Sequence, residues 1–156
     1  MRKVIFFLII IMLSLPGTVW ATDPIIGTWK LNIEKSKFPS TQAAPKEQTE
    51  TYRELDDGQI ELTYQNIEKD GSSTLLVETY PVQGGMAKVL KSDFPFSFVQ
   101  TRIAQDEWLV TYLIDGKQFI TRHKKISKDG KTLVQTIKGI DNDGQPIDVL
   151  LILEKQ

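Results

Sequence analysis

His123 is the chain's one histidine, and there is no cysteine. A metal centre gathers several His, Cys or carboxylate ligands. A lone imidazole on a strand reads instead as structural or solvent-facing, and no metal is expected. A serine nucleophile of the Gly-x-Ser-x-Gly elbow type is missing as a string. Glu61, Glu78, Asp93 and Asp106 supply carboxylates that paired acid–base chemistry would need, but their spacing singles out no pair. Gly84-Gly85 lacks the Lys-Ser/Thr and the strand-to-helix setting of a phosphate loop. No catalytic residue and no cofactor is therefore expected, and the chain is read as a non-enzyme.

Binding is the chemistry left to consider. Trp29, Tyr52, Tyr64, Tyr80, Phe98, Trp108, Tyr112 and Phe119 could line an apolar cavity with a few hydroxyls for orientation, or simply fill a small barrel. Gln100 and Arg102 alternate with Val99 and Thr101, so one face of that strand is polar. Turned inward, Arg102 would meet a carboxylate head group; turned outward, as expected here, it is solvated surface. The candidate ligand-binding set is Tyr64, Phe98, Arg102, Trp108 and Tyr112. The run Arg122-His123-Lys124-Lys125 alternates between strand faces and forms no single patch. It reads as an ordinary solvated stretch.

Such side chains need elements to position them, and the punctuation describes those elements. Asp-Gly occurs at 57–58, 70–71, 115–116, 129–130 and 143–144, a pair suited to the positive φ values of type I′ hairpin turns. Between the pairs lie runs rich in Val, Ile, Thr, Tyr and Leu. Ile60 to Gln65 alternates strictly between apolar and polar, which buries one face. Trp108 to Ile114 is apolar on both faces, as for a strand covered on both sides or facing a ligand space. No stretch has a helical period. Pro39–Lys46 and Lys91–Pro95 read as irregular segments. The expected fold is all-β: an antiparallel up-and-down meander of about 8–10 strands. Closure into a barrel would both remove the sheet edges and bury the apolar face.

The N-terminus has the build of a cleavable export signal over residues 1–21. Arg2 and Lys3 precede the apolar run Val4–Leu15, Pro16-Gly17 ends it, and Val19-Trp20-Ala21 supplies a cleavage site. The run is shorter than the roughly 20 residues that span a bilayer. Residues 22–156 then form one domain, periplasmic or secreted, with no membrane anchor after cleavage. Without Arg2 and Lys3, 17 of the 19 basic residues stand against 20 acidic ones, a net charge of −3. That balance argues against a nucleic-acid partner, which needs concentrated positive charge.

Gly27-Thr28-Trp29 resembles the Gly-x-Trp opening of the lipocalin and fatty-acid-binding-protein superfamily. The string continues through Lys30-Leu31-Asn32 to Lys35-Ser36-Lys37-Phe38, and is similar there to a family of exported bacterial lipocalin-like proteins. Tyr80-Pro81-Val82 before Gly84, Ser127–Leu133, and Asp141–Pro146 resemble later elements of that family. The resemblance covers most of residues 22–156. It implies a lipocalin-like barrel whose closed end is formed by Gly27 and Trp29. Lipocalins usually pack a basic residue across this tryptophan; here Lys155 stands where an arginine is usual. The function it implies is binding of a small apolar or amphipathic ligand. The alternative is an envelope or secreted interaction module, an inhibitor or assembly partner, on a packed barrel without a cavity.

Overall fold

A computed structural model describes residues 22–40, 42–140 and 144–156. The segment 1–21, where an export signal is expected, lies outside the described residues, as do Thr41 and Asp141-Asn142-Asp143 with the aspartate of its Asp-Gly pair. The described chain is all-β. In order its strands are β1 (Gly27–Leu31), β2 (Glu47–Glu54), β3 (Gln59–Ile67), β4 (Ser73–Pro81), β5 (Gly84–Met86), β6 (Lys88–Ser92), β7 (Ser97–Ala104), β8 (Glu107–Ile114), β9 (Lys117–Ile126), β10 (Thr132–Ile140) and β11 (Pro146–Lys155). All belong to one antiparallel sheet, ordered β5-β7-β8-β9-β10-β11-β1-β2-β3-β4-β6, a nearly closed barrel.

Eleven strands exceed the expected 8–10 because the chain from Gly84 to Ser92 is not legible as strand. It forms two short strands that pair on opposite sides. β5 pairs with β7 through Gly85↔Gln100 and Met86↔Val99, while β6 pairs with β4 through Glu78↔Val89 and Leu76↔Ser92. Counted as one kinked strand, this segment bridges both ends of the meander and makes the tenth stave. Lys91 and Ser92 thus belong to β6, and the irregular stretch is residues 93–96. Gly84 permits the kink. Its φ is +93°, and a Cβ there would sit 2.6 Å from the Gln100 carbonyl oxygen, so a side chain would push β5 off β7.

The turns differ from expectation in type. Only Asp115-Gly116, among the described residues, has positive φ at both residues, 48° and 74°, as a type I′ turn requires. At the Gly58 and Gly71 turns the glycine alone is left-handed, and its amide closes a four-residue turn on the carbonyls of Leu55 and Glu68. Those are three-residue hairpin loops in which the glycine makes the bulge.

The core occupies the closed end. Trp29, Ile60, Leu133 and Leu153 are fully buried there, with Ile25, Tyr52 and Trp108 packed among them. Trp29 donates its indole N–H to the Ile25 carbonyl at 2.7 Å, and the Lys155 ammonium lies 5.0 Å from its ring centroid. Gly27 (φ +133°) lets this lysine cross, since a Cβ there would stand 2.7 Å from Lys155 Cε. Lys155 therefore covers the tryptophan, the basic contact that the resemblance implies.

Candidate functional site

The inward rows of the staves share one pattern. On β10 the row is Leu133, Gln135, Ile137; on β4 it is Leu76, Glu78, Tyr80; on β9 it is Ile120, Arg122, Lys124, Ile126. Each places polar residues between apolar ones. Side by side in the ladder (Gln135↔Lys124, Arg122↔Val110, Gln100↔Val110, Leu62↔Glu78), they build a polar layer halfway along the barrel. Above this layer is a cavity of about 270 Å³.

The cavity wall is mostly apolar. Leu62, Leu76, Val110, Ile137, Val149 and Leu151 contribute aliphatic surface, and Tyr64, Phe94, Phe96, Phe98 and Tyr112 aromatic surface. The rings form a connected cluster. Phe96 stacks on Phe94 at 5.7 Å and meets Phe119 at 4.8 Å, and Phe98 meets Tyr112 edge-on at 5.0 Å, geometries that aromatic pairs prefer. Phe94 and Phe96 come from the segment after β6. Phe38, Gln42, Ala43 and Pro45 come from the β1–β2 connection, so these two loops frame the mouth.

The floor is charged. Glu50, Glu78 and Lys124 are each buried to within 2 % of complete, and the Arg122 side chain to within 14 %. Glu50 collects four donors: Tyr52 Oη, Gln135 Nε2 at 2.8 Å, Gln48 Nε2 at 3.2 Å and Arg122 Nη1 at 3.3 Å. Burial pushes its pKa up, but Arg122, Lys124 and the hydrogen bonds together hold it below the ordinary carboxylate value. Glu78 has one donor, Gln100 Nε2 at 2.7 Å, and burial leaves its pKa raised. Lys124 donates to Tyr52 Oη at 3.0 Å and is otherwise acted on by Glu50 and Glu78 at longer range. Burial lowers its pKa to about 8. Tyr64 is pushed up to about 12, chiefly by burial, and remains a neutral hydroxyl at physiological pH.

The Lys124 shift has a measurable sign. Its folded value lies below the unfolded value of about 10.4, so the native state loses its proton first. The contribution of this group to stability therefore rises as pH climbs from about 8 toward that unfolded value. The 13Cε resonance of Lys124, assigned by its loss in Lys124→Met, should titrate near pH 8, and those of exposed lysines near about 10.4. A midpoint above about 10 would show the ammonium to be hydrated.

The residues singled out from sequence divide into two groups. Tyr64, Phe98 and Tyr112 line the cavity. Arg102 and Trp108 do not: they sit at the closed end, the guanidinium 4.9 Å over the indole, ion-paired to Asp23 and bonded to the carbonyls of Val82, Ala104 and Gln105. Arg102 is thus neither open solvated surface nor part of this cavity; the chain entering β1 folds back across it through Asp23, and it lines a separate, more open depression with Asp23, Val82 and Gln105. The solvated reading of Arg122-His123-Lys124-Lys125 is also corrected. Arg122 and Lys124 turn inward, while His123 and Lys125 turn outward and both hold Glu107, at 2.6 and 2.8 Å. Of the four carboxylates considered, Glu78 reaches the floor. Glu61 pairs with Arg53 outside, Asp93 caps the Leu75 amide, and Asp106 lies in the β7–β8 turn. Glu50 and Gln135 are not singled out by sequence reasoning; the apolar–polar–apolar row Leu133, Gln135, Ile137 carries a signal for Gln135, whereas the inward row of β2, Gln48, Glu50, Tyr52, carries none.

No protein-family model matches the chain, and no curated protein matches it in sequence. Its fold is similar to solved structures. The fluorescent protein UnaG, wild type, aligns at TM-score 0.54 with 16 % identity, over 84 % of this chain and 96 % of that one. A point mutant of UnaG aligns at 0.55, with 16 % identity over 85 % and 96 %. A zebrafish ileal bile acid-binding protein complexed with cholic acid aligns at 0.49, with 11 % identity over 85 % and 98 %. The chain thus folds as a nearly closed antiparallel barrel similar to that of UnaG.

Proposed function

We propose that this protein is an exported carrier that holds a small amphipathic ligand inside the barrel. The observation that carries the reading is the cavity itself. It has an aromatic and aliphatic wall, a charged floor and two framing loops. A well-packed interior has few voids larger than a water molecule, whereas 270 Å³ is far more than a single water needs. Polar groups at one end of an apolar pocket orient a ligand. The cavity counts against a packed interaction module. Export rests on the leader-like pattern of residues 1–21. Binding is favoured over paired-carboxylate catalysis because the Glu50 oxygens are committed to four donors, which leaves Glu78 without a second free carboxylate on the floor.

Native mass spectrometry of the mature protein, compared with its denatured mass, tests this directly. A stoichiometric small molecule, or saturable displacement of the probe 8-anilinonaphthalene-1-sulfonate by amphiphiles, is expected. Phe96→Ala removes a ring from the cavity wall and should weaken amphiphile binding about tenfold, the equivalent of about 1.4 kcal/mol. Bare protein that takes up neither probe nor amphiphile would end the carrier reading.

A further inference from the structure

We propose that the buried end of the ligand is an uncharged hydroxyl, seated on Glu78, Gln100 and Lys124, and that the cavity selects against the matching carboxylate. This rests on the carrier reading above and adds the chemical class of the head group.

The first reason is the balance of buried charge. Glu50 and Glu78 face Arg122 and Lys124 in one low-dielectric floor, two anions against two cations. A carboxylate delivered there would be a third anion without its own cation, and an uncompensated buried charge is strongly unfavourable. An ammonium head group seated on the floor would unbalance it in the other direction, while the half-buried Glu68 elsewhere in the lining adds a further anion to the wall.

The second reason is the inventory of unused hydrogen-bonding atoms. Glu78 Oε2 and Gln100 Oε1 are buried, belong to cavity-lining side chains, and have no hydrogen-bond partner within the protein. Both are acceptors, so they call for a donor from the ligand, and the single hydrogen of a hydroxyl goes to one of the two, Glu78 Oε2 or Gln100 Oε1. A carboxylate has no proton to give and would set its lone pairs against theirs. A hydroxyl donates one hydrogen bond and accepts two. Lys124 has three N–H donors, one of which goes to Tyr52 Oη, and a second can meet the hydroxyl oxygen. Arg122 Nε is a further unpartnered donor on the same floor. A site built to hydrogen-bond a hydroxyl discriminates strongly against analogues that lack it, because its polar atoms are then left unpaired.

Octan-1-ol, octanoate and octylamine, titrated into the mature protein at pH 7 by calorimetry and by displacement of 8-anilinonaphthalene-1-sulfonate, separate the possibilities. The alcohol is expected to bind at least about tenfold more tightly than either ion, a difference of about 1.4 kcal/mol. Glu78→Gln removes one anion while keeping the shape, and should narrow the gap by tightening octanoate. Wild-type protein that prefers octanoate or octylamine overturns the hydroxyl assignment and leaves the carrier reading standing. Protein that binds none of the three, and takes up no probe, removes the carrier reading and this assignment with it.

Discussion

Glu50→Gln should lower the unfolding free energy by roughly 3–5 kcal/mol, the cost of breaking one side of a buried ion pair. The substitution changes one atom and almost no volume, so the loss isolates charge from packing. Four donors converge on the Glu50 carboxylate, from Gln48, Tyr52, Arg122 and Gln135. An amide offers one acceptor oxygen where the carboxylate offers two, and it turns N–H hydrogens toward donors. Arg122 and Lys124 then share Glu78 as the remaining anion of the floor. Urea denaturation of both proteins at pH 7 gives the difference. Glu50→Gln/Arg122→Met should recover part of the loss, because much of the cost is the cation left unpaired.

The acid limb supplies a second readout. The Glu50 pKa is lower folded than unfolded, so its stabilisation is present above the unfolded value of about 4.3 and lost as pH falls through the folded value. Glu50→Gln should flatten the stability profile in that window. A variant as stable as wild type would mean that water solvates the floor.

Trp29→Ala should cost about 3–5 kcal/mol by deleting the side chain that fills the closed end. Trp29 is fully buried, donates to the Ile25 carbonyl and lies under Lys155. Its removal leaves a cavity under β1, which pairs with both β2 and β11. Thermal and urea unfolding measure the loss. Trp29→Phe keeps most of the apolar volume and forfeits the indole hydrogen bond and part of the cation–π contact, so it should cost about 1–2 kcal/mol. Trp29 is not part of the cavity wall. Folded Trp29→Phe protein should therefore bind amphiphiles as wild type does, whereas Phe96→Ala should weaken binding with little change in closed-end packing. Loss of binding in Trp29→Phe would place the cavity deeper than its lining residues indicate.

Most of the fold is legible in the sequence because its signals are local. Strand alternation and Asp-Gly punctuation act within a few residues, and the alternating run Ile60–Gln65 and the apolar run Trp108–Ile114 fall within β3 and β8. Gly84 to Ser92 is hidden because it has no period. Leu90 falls at the bulge where the β4–β6 register shifts, and residues 88–91 are exposed on both faces, so no alternation marks them. Turn subtype is hidden for a related reason. Asp-Gly suits several hairpin loops, and the strand pairing chooses among them.

For the site, strand parity alone assigns the side chains to faces: Ile120, Arg122, Lys124 and Ile126 to one, His123 and Lys125 to the other. It did not determine which face turns inward. Parity is a property of one strand, whereas direction is decided by pairing with its neighbours, and both faces of β9 are basic at those positions. The tertiary structure decided it by setting Lys124 beside Gln135 and Arg122 beside Val110 and Ile137. It also brought Glu50, 72 residues earlier, to Arg122. A charged floor becomes stable only once strands distant in sequence supply its opposite charges.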